Sequence, residues 1–133
     1  MLQCHKKRST ILHFGADRIV LILRGWNLNE MGYRVLNASN AIEVIKLATR
    51  KRVDAVVLDL DRDHAEVALV ATEIKRCRPQ VPTILLTEGT VLPDRAHELA
   101  DAHVPKRDDL GMLAAALENV LAAGVAEPSK AAS

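Results

Sequence analysis

The sequence predicts an α/β fold in which five parallel strands form one sheet with helices on both faces. Short apolar runs rich in β-branched residues alternate with helix-like segments along the chain. Two of these runs, residues 54–59 and 81–87, are apolar through their centres, which is typical of strands buried on both faces of a parallel sheet. Aromatic residues make up only 2% of the 133 residues, so we expect an aliphatic core within one domain.

The elements are predicted in the order βαβαβαβαβα. The strands are residues 9–14, 33–37, 54–59, 81–87 and 102–105, and the helices are residues 17–31, 40–52, 65–77, 94–100 and 110–123. Strict alternation of this kind favours a parallel sheet with right-handed crossovers. The domain organisation is predicted as an N-terminal arm (1–9), a folded domain (10–123) and a disordered tail (124–133).

The predicted strands are short and are bounded by turn-forming residues, and the predicted helices have capping residues at their ends. Asp17 offers an N-cap and Gly32 a C-cap to the first helix. The continuous β-branched run at residues 19–23 would also suit a buried strand, but the two capping residues, about four turns apart, favour a helix. Asn40 caps the second helix, and Pro79 follows the end of the third.

Composition and charge exclude several classes of function. The chain has 18 basic and 17 acidic residues, a formal net charge of +1, which argues against direct nucleic-acid binding. No apolar run is long enough to cross a membrane, and no signal region follows the N-terminus. Cys4 and Cys77 lack the spacing of a metal or redox site, so we expect free thiols in a cytoplasmic protein. No enzyme motif is present, so we expect no enzymatic activity.

Polar residues stand at the carboxyl ends of three predicted strands. Asp59 ends the third strand, Thr87 ends the fourth, and Lys106 follows the fifth. In parallel α/β sheets the ligand crevice lies beyond these strand ends. The sequence therefore predicts that a carboxylate, a hydroxyl and an ammonium group meet at one edge of the sheet. A plain turn or helix cap is the alternative explanation for a single Asp at such a position.

This ordered set resembles the receiver domain of two-component response regulators, the CheY-like family, over residues 9–122. The resemblance implies a flavodoxin-like (βα)5 fold with strand order 2-1-3-4-5, and it makes residues 17–31 a helix. It also implies that Asp59 is the phosphoacceptor for a kinase phosphohistidine, while Thr87 and Lys106 contact the phosphoryl group. A histidine kinase or another signalling protein would be the partner, and Mg²⁺ would bridge Asp59 and the phosphoryl group.

The sequence departs from the family at the metal site. Gly15 and Ala16 stand where the family has two adjacent acids. Asp17, Asp59 and Asp61 are the remaining candidate ligands, and Mg²⁺ prefers several oxygen ligands in octahedral geometry. We therefore expect weak metal binding and slow or absent phosphorylation.

The switch residues depart from the family as well. His103 takes the place of the family's switch aromatic, and Arg107 replaces the proline that follows the lysine. The output switch that couples the threonine to that aromatic is therefore in question.

The first helix is apolar almost all round, and one face contains Ile19, Ile22 and Trp26. We expect this face to be an interface with a partner or with a second copy of the chain, giving a homodimer. Coverage by the N-terminal arm or by the tail is the alternative. Val20, Leu23 and Met31 form a second apolar face of the same helix.

Three functional hypotheses remain from the sequence. The first is a stand-alone, atypical receiver (a pseudo-receiver) in bacterial two-component signalling that acts through protein–protein contacts. The second is a functional phosphoacceptor, phosphorylated on Asp59 in a phosphorelay, that recruits metal ligands from Asp17 and Asp61. The most distant is a small-ligand or cofactor binder that uses the same crevice.

Overall fold

The computed structural model describes residues 8–59, 64–87, 100–106 and 110–132. The elements in these ranges are β1 (Thr10–Phe14), α1 (Arg18–Glu30), β2 (Arg34–Ala38), α2 (Ala41–Arg50), β3 (Ala55–Asp59), α3 (His64–Cys77), β4 (Thr83–Thr87), β5 (Ala102–Pro105) and α4 (Leu110–Ala132). The helix predicted over residues 94–100 lies outside the described residues.

The five strands form one parallel sheet in the order β2-β1-β3-β4-β5, which confirms the predicted fold class and strand order. β3 and β4 lie inside the sheet and are buried along their whole length. The register pairs Phe14 with Leu58, Asp59 with Leu86, and Thr87 with Pro105. These pairings bring the carboxyl ends of four strands to a common edge, where Asp59 is the last residue of β3.

The sheet separates two apolar layers, which draw on alternate residues of each strand because successive side chains of a strand point to opposite faces. The layer against α2 and α3 contains Leu12, Phe14, Val56, Leu58, Val44, Ala48, Val70 and Ile74. The layer against α1 and α4 contains Ile11, Val57, Ile84, Leu86, Leu28, Leu113 and Leu117. His13 therefore points from the centre of β1 toward α1.

Residues 18–30 form a helix and not the alternative buried strand. Asp17 is its N-cap, and its Oδ1 accepts hydrogen bonds from the backbone N–H groups of Ile19 (3.1 Å) and Val20 (3.2 Å). Asn40 caps α2 in the same way, accepting from the N–H of Glu43 at 2.8 Å. Capping of the free N–H groups in the first turn explains why a β-branched run can start a helix here.

The last helix differs from the sequence prediction. α4 continues to Ala132, across residues that the composition predicts as a disordered tail, 124–133. Five of residues 122–132 are alanine, and one glutamate and one lysine stand among them. Alanine, glutamate and lysine are strong helix formers, whereas Gly124 and Pro128 in the same stretch disfavour a helix, so intrinsic preference alone does not account for the longer helix. Among the described residues, no helix has both the length and the apolarity needed to cross a membrane.

The turn between α1 and β2 depends on Gly32, whose φ is +104°. Gly32→Ala should lower the free energy of unfolding by about 1–2 kcal/mol, because a Cβ is disfavoured in this conformation. An added Cβ would meet no described atom within 4 Å, so the cost is conformational and not steric. The measurement is denaturant unfolding. Gly111→Ala, at a helical position in α4, is the control and should be neutral or stabilising; equal losses in both variants would contradict the prediction.

Candidate functional site

The candidate site is built around Asp59, which is only 6% exposed at the carboxyl edge of the sheet. Gly15 follows β1 beside it. A Cβ added at Gly15 would lie 3.3 Å from the Cβ of Asp59 and 3.4 Å from its Oδ2. Position 15 therefore adjoins the Oδ2 side of the carboxylate, and glycine places neither an oxygen ligand nor a charge there.

Two cations hold the carboxylate, one at each oxygen. The Arg24 Nη1 donates a hydrogen bond to Asp59 Oδ2 at 3.1 Å, and the Lys106 Nζ lies 2.6 Å from Oδ1. The lysine contact is an ion pair whose angles fall outside hydrogen-bond geometry, and Oδ1 accepts no hydrogen bond from the described residues. All three side chains are largely buried, at 14%, 15% and 7% exposed for arginine, lysine and aspartate. A buried carboxylate is stable only when it is compensated in this way.

His13 and Asn37 hold the guanidinium of Arg24 in place. The Arg24 Nη1 lies 3.3 Å from His13 Nε2, and because a guanidinium only donates, Nε2 must accept. The ring proton is thereby assigned to Nδ1, which donates to Asn37 Oδ1 at 3.1 Å. Burial and the charge of Arg24 lower the pKa of His13 from 6.5 to about 4, so the ring is neutral near pH 7.

Gly25 allows α1 to approach this network closely. It is buried next to Asn37 in β2, and an added Cβ would lie 2.9 Å from Asn37 Oδ1. Any side chain at position 25 would displace the amide that orients His13. The close approach of α1 therefore brings Arg24 within reach of Asp59.

Of the predicted edge residues, Lys106 contacts Asp59, and Thr87 lies at the same edge of the sheet. Thr87 is buried at the end of β4, and its carbonyl oxygen accepts a hydrogen bond from the Lys106 N–H at 2.6 Å. This contact fixes the start of the segment after β5 and directs the lysine toward Asp59. His103 is half-buried in β5 and pairs in register with Leu85. It therefore lies two residues before the Thr87–Pro105 pair at the carboxyl edge.

The described residues around Asp59 do not fit a magnesium ion. Gly15 and Ala16 have no side-chain oxygen, and both oxygens of Asp59 face cations. Asp17 is exposed and uses Oδ1 to cap α1. Asp61 lies outside the described residues, and within the described ranges no group of three His, Cys, Asp or Glu side chains could hold a metal. Mg²⁺ needs several oxygen ligands, and among the described residues of the pocket only Asp59 has a carboxylate, whose oxygens both contact cations.

The outer face of α1 is exposed where the sequence predicts an interface. Ile19, Ile22 and Trp26 are 70%, 57% and 63% exposed, and Leu23 of the second apolar face is also exposed. The Trp26 Nε1 donates to Glu30 Oε2 at 3.2 Å, which orients the ring along the helix. What covers this face stays a prediction.

Sequence reasoning missed Arg24, His13 and Asn37. Two signals could have revealed the first two: a histidine in the middle of a buried strand, and a charged residue within an apolar helix. Both types need a partner when they are buried. His13 and Arg24 are partners of each other.

Comparisons with known proteins place this geometry among receiver domains. No protein-family model matches the chain. The chain is 32% identical over 88 residues to the transcriptional regulatory protein GlrR of Escherichia coli K12, covering 66% of this chain and 20% of GlrR. It is 27% identical over 117 residues to the transcriptional regulatory protein PrrA of Mycobacterium tuberculosis, covering 86% of this chain and 49% of PrrA. The chain thus spans about a fifth and about half of these relatives.

Solved structures agree with the sequence comparisons. A CheY-like response regulator receiver domain from Methanospirillum hungatei superposes with a TM-score of 0.82 at 20% identity, covering 91% of this chain and 99% of that one. The response regulator TrrA from Thermotoga maritima, solved in complex with Mg²⁺-BeF, gives 0.76 at 26% identity, covering 84% and 98%.

Acid should destabilise the protein through His13. Between pH 6.5 and about 4 the unfolded chain binds a proton that the buried, neutral ring does not, so stability falls as the pH falls through this window. The full effect is about 3 kcal/mol. Denaturant unfolding across this range should show a shallower pH dependence for His13→Gln than for the wild type. Parallel profiles would contradict the assignment of a neutral His13.

Proposed function

The chain is a receiver domain of the two-component response-regulator family, and we propose that it is an atypical member that signals through protein contacts and not through phosphorylation of Asp59. The observation that carries the proposal is the pair of cations on the Asp59 carboxylate, Arg24 at Oδ2 and Lys106 at Oδ1. Arg24 thus gives the Asp59 carboxylate a second cation partner that is not a metal ion.

Phosphoryl transfer to Asp59 would need a free carboxylate oxygen and a cation to stabilise the transferred group. Here Oδ2 accepts from Arg24, and Oδ1 is ion-paired with Lys106. A phosphodonor would have to displace the guanidinium, which His13 also holds. Moving the guanidinium would break its contacts with Asp59 and His13 in a largely buried site, which opposes attack on the phosphodonor.

The exposed apolar face of α1 supports signalling by contact. Ile19, Ile22 and Trp26 form one stripe, because residues three or four apart lie on the same side of a helix. Exposed apolar stripes of this kind are typical of interaction sites. We propose a histidine kinase or another signalling protein as the partner, with a homodimer as the second option. The free thiol of Cys77 supports a cytoplasmic location.

A functional phosphoacceptor is the second candidate. It is supported by the Lys106 Nζ at 2.6 Å from Asp59 and by the placement of Thr87 at the same edge. The related receiver TrrA was solved with Mg²⁺-BeF. This candidate requires Arg24 to leave Oδ2 when a phosphodonor arrives, and it requires Asp61 or Asp17 to supply metal ligands.

A direct phosphorylation assay separates the two candidates. The protein is incubated with Mg²⁺ and acetyl phosphate, quenched, and examined by intact mass spectrometry. We expect no phosphoryl adduct, because Arg24 occupies Asp59 Oδ2 and the described residues around Asp59 supply no further magnesium ligand. TrrA treated in parallel is a control for the donor, and Asp59→Ala controls for modification elsewhere. An adduct in the wild type that disappears in Asp59→Ala would overturn the proposal.

A further inference from the structure

We propose that Arg24 is a built-in cation that takes the place of the exchangeable divalent ion in this pocket. The inference rests on the proposed function, since it assigns a specific residue as the reason why the pocket is independent of metal. Arg24 would therefore set the charge state and the cation selectivity of the site. It acts on Asp59 as a positioning residue and carries out no chemical step.

The first support is the side of Asp59 that Arg24 occupies. Its Nη1 contacts Oδ2, and Oδ2 is also the oxygen that lies 3.4 Å from a Cβ added at Gly15. Position 15 is one of the two positions at which the receiver family has its acids. The guanidinium therefore lies on the side of the carboxylate that faces the missing acids, while Lys106 holds the opposite oxygen.

The second support is the charge balance. The described charged groups in contact are one carboxylate, Asp59, and two cations, Arg24 and Lys106, a net charge of +1. A pocket with two further carboxylates and no arginine would have a net charge of −2 and would attract a divalent ion. The replacement of acids by Gly15 and Ala16 and the presence of Arg24 therefore act in the same direction. Each makes a bound Mg²⁺ less favourable in a site of low dielectric constant.

The third support is that Arg24 is fixed and not free to swing away. His13 Nε2 accepts from the same Nη1, and Asn37 orients the His13 ring. Both His13 and the Arg24 side chain are withdrawn from solvent. The burial of His13 is compensated at both ring nitrogens, by Arg24 on one side and by Asn37 on the other, so the imidazole and the guanidinium hold each other in place.

The first experiment restores the metal site. The variants are Arg24→Ala and Arg24→Ala combined with Ala16→Asp, since Ala16 is exposed and accepts a larger side chain. Arg18→Ala, an exposed position on the same helix, is the matched control. Thermal midpoints and Trp26 fluorescence are followed with and without millimolar Mg²⁺.

We expect no response to Mg²⁺ in the wild type or in Arg18→Ala, and a rise of the midpoint by several degrees in the double variant. Mg²⁺ binding to the wild type as tight as to the double variant would overturn the inference. A double variant that folds and still ignores Mg²⁺ would also overturn it.

The second experiment is a double-mutant cycle between Arg24 and Asp59. Arg24→Ala should lower the thermal midpoint by about 10 °C, because it leaves a buried carboxylate short of a partner. In an Asp59→Asn background the same change should cost far less. Equal losses in both backgrounds would show that Arg24 is there for packing alone. Arg24→Gln preserves more of the side chain and provides the same comparison if Arg24→Ala does not fold.

The two proposals fail in different ways. Phosphorylation of Asp59 by acetyl phosphate in the absence of Mg²⁺ would overturn the proposed function and leave Arg24 as the internal cation. Phosphorylation that requires Mg²⁺ while Arg24 is intact would overturn both. If Asp59 is not phosphorylated and the double-mutant cycle shows no coupling between Arg24 and Asp59, the proposed function stands, but Arg24 is not the reason for it.

Discussion

The burial of one carboxylate, that of Asp59, constrains the whole carboxyl edge of the sheet. A charge at that depth must be compensated by groups from elements that pack against it. Arg24 reaches it from α1, and Lys106 reaches it from the end of β5. The ion pairs thus link α1, which packs against β1 and β2, to the residue that follows β5 at the far side of the sheet. The position of these elements is set by electrostatics at one end and by the apolar layers elsewhere.

The same constraint explains residues that look unsuited to their positions. His13 is wholly buried in a central strand because Arg24 needs an acceptor on its far side. Gly25 interrupts the centre of α1, at a cost of about 1 kcal/mol in helix propensity, because the helix must approach Asn37 closely. His13 in a strand and Gly25 in a helix are each unfavourable for their own element, but both are needed for the contacts that hold Arg24 against Asp59.

Much of the fold followed from the sequence, and part of the site did not. Alternating strands and helices fix which residues end each strand, so Asp59, Thr87 and Lys106 could be placed at one edge from the pattern alone. Arg24 could not be placed, because α1 is apolar almost all round and its pattern does not fix its rotation about its own axis. Packing fixes that rotation, with Leu21 and Leu28 on the buried side.

In this protein the architecture is that of receiver domains, whereas several residues of the pocket differ from the family pattern. Its sheet superposes on receivers at 20% and 26% identity, because the apolar pattern that specifies the fold tolerates wide substitution. The chemistry of the pocket depends on very few positions, of which 15, 16 and 24 change the charge that a cation meets. A fold match therefore shows the architecture, whereas the reaction depends on the residues of the site.

A cation supplied by the chain also alters how the pocket is connected to the surface. An exchangeable metal ion is not part of any helix, whereas Arg24 is a residue of α1. Trp26 is two residues further along α1 and therefore lies on nearly the opposite side of the helix. The outer face of α1 is exposed and apolar, while its inner face is tied to Asp59. Any contact that shifts or rotates α1 must work against the Arg24–Asp59 ion pair. On the proposal that Arg24 replaces the metal ion, this one side chain would connect the pocket to the exposed face of α1.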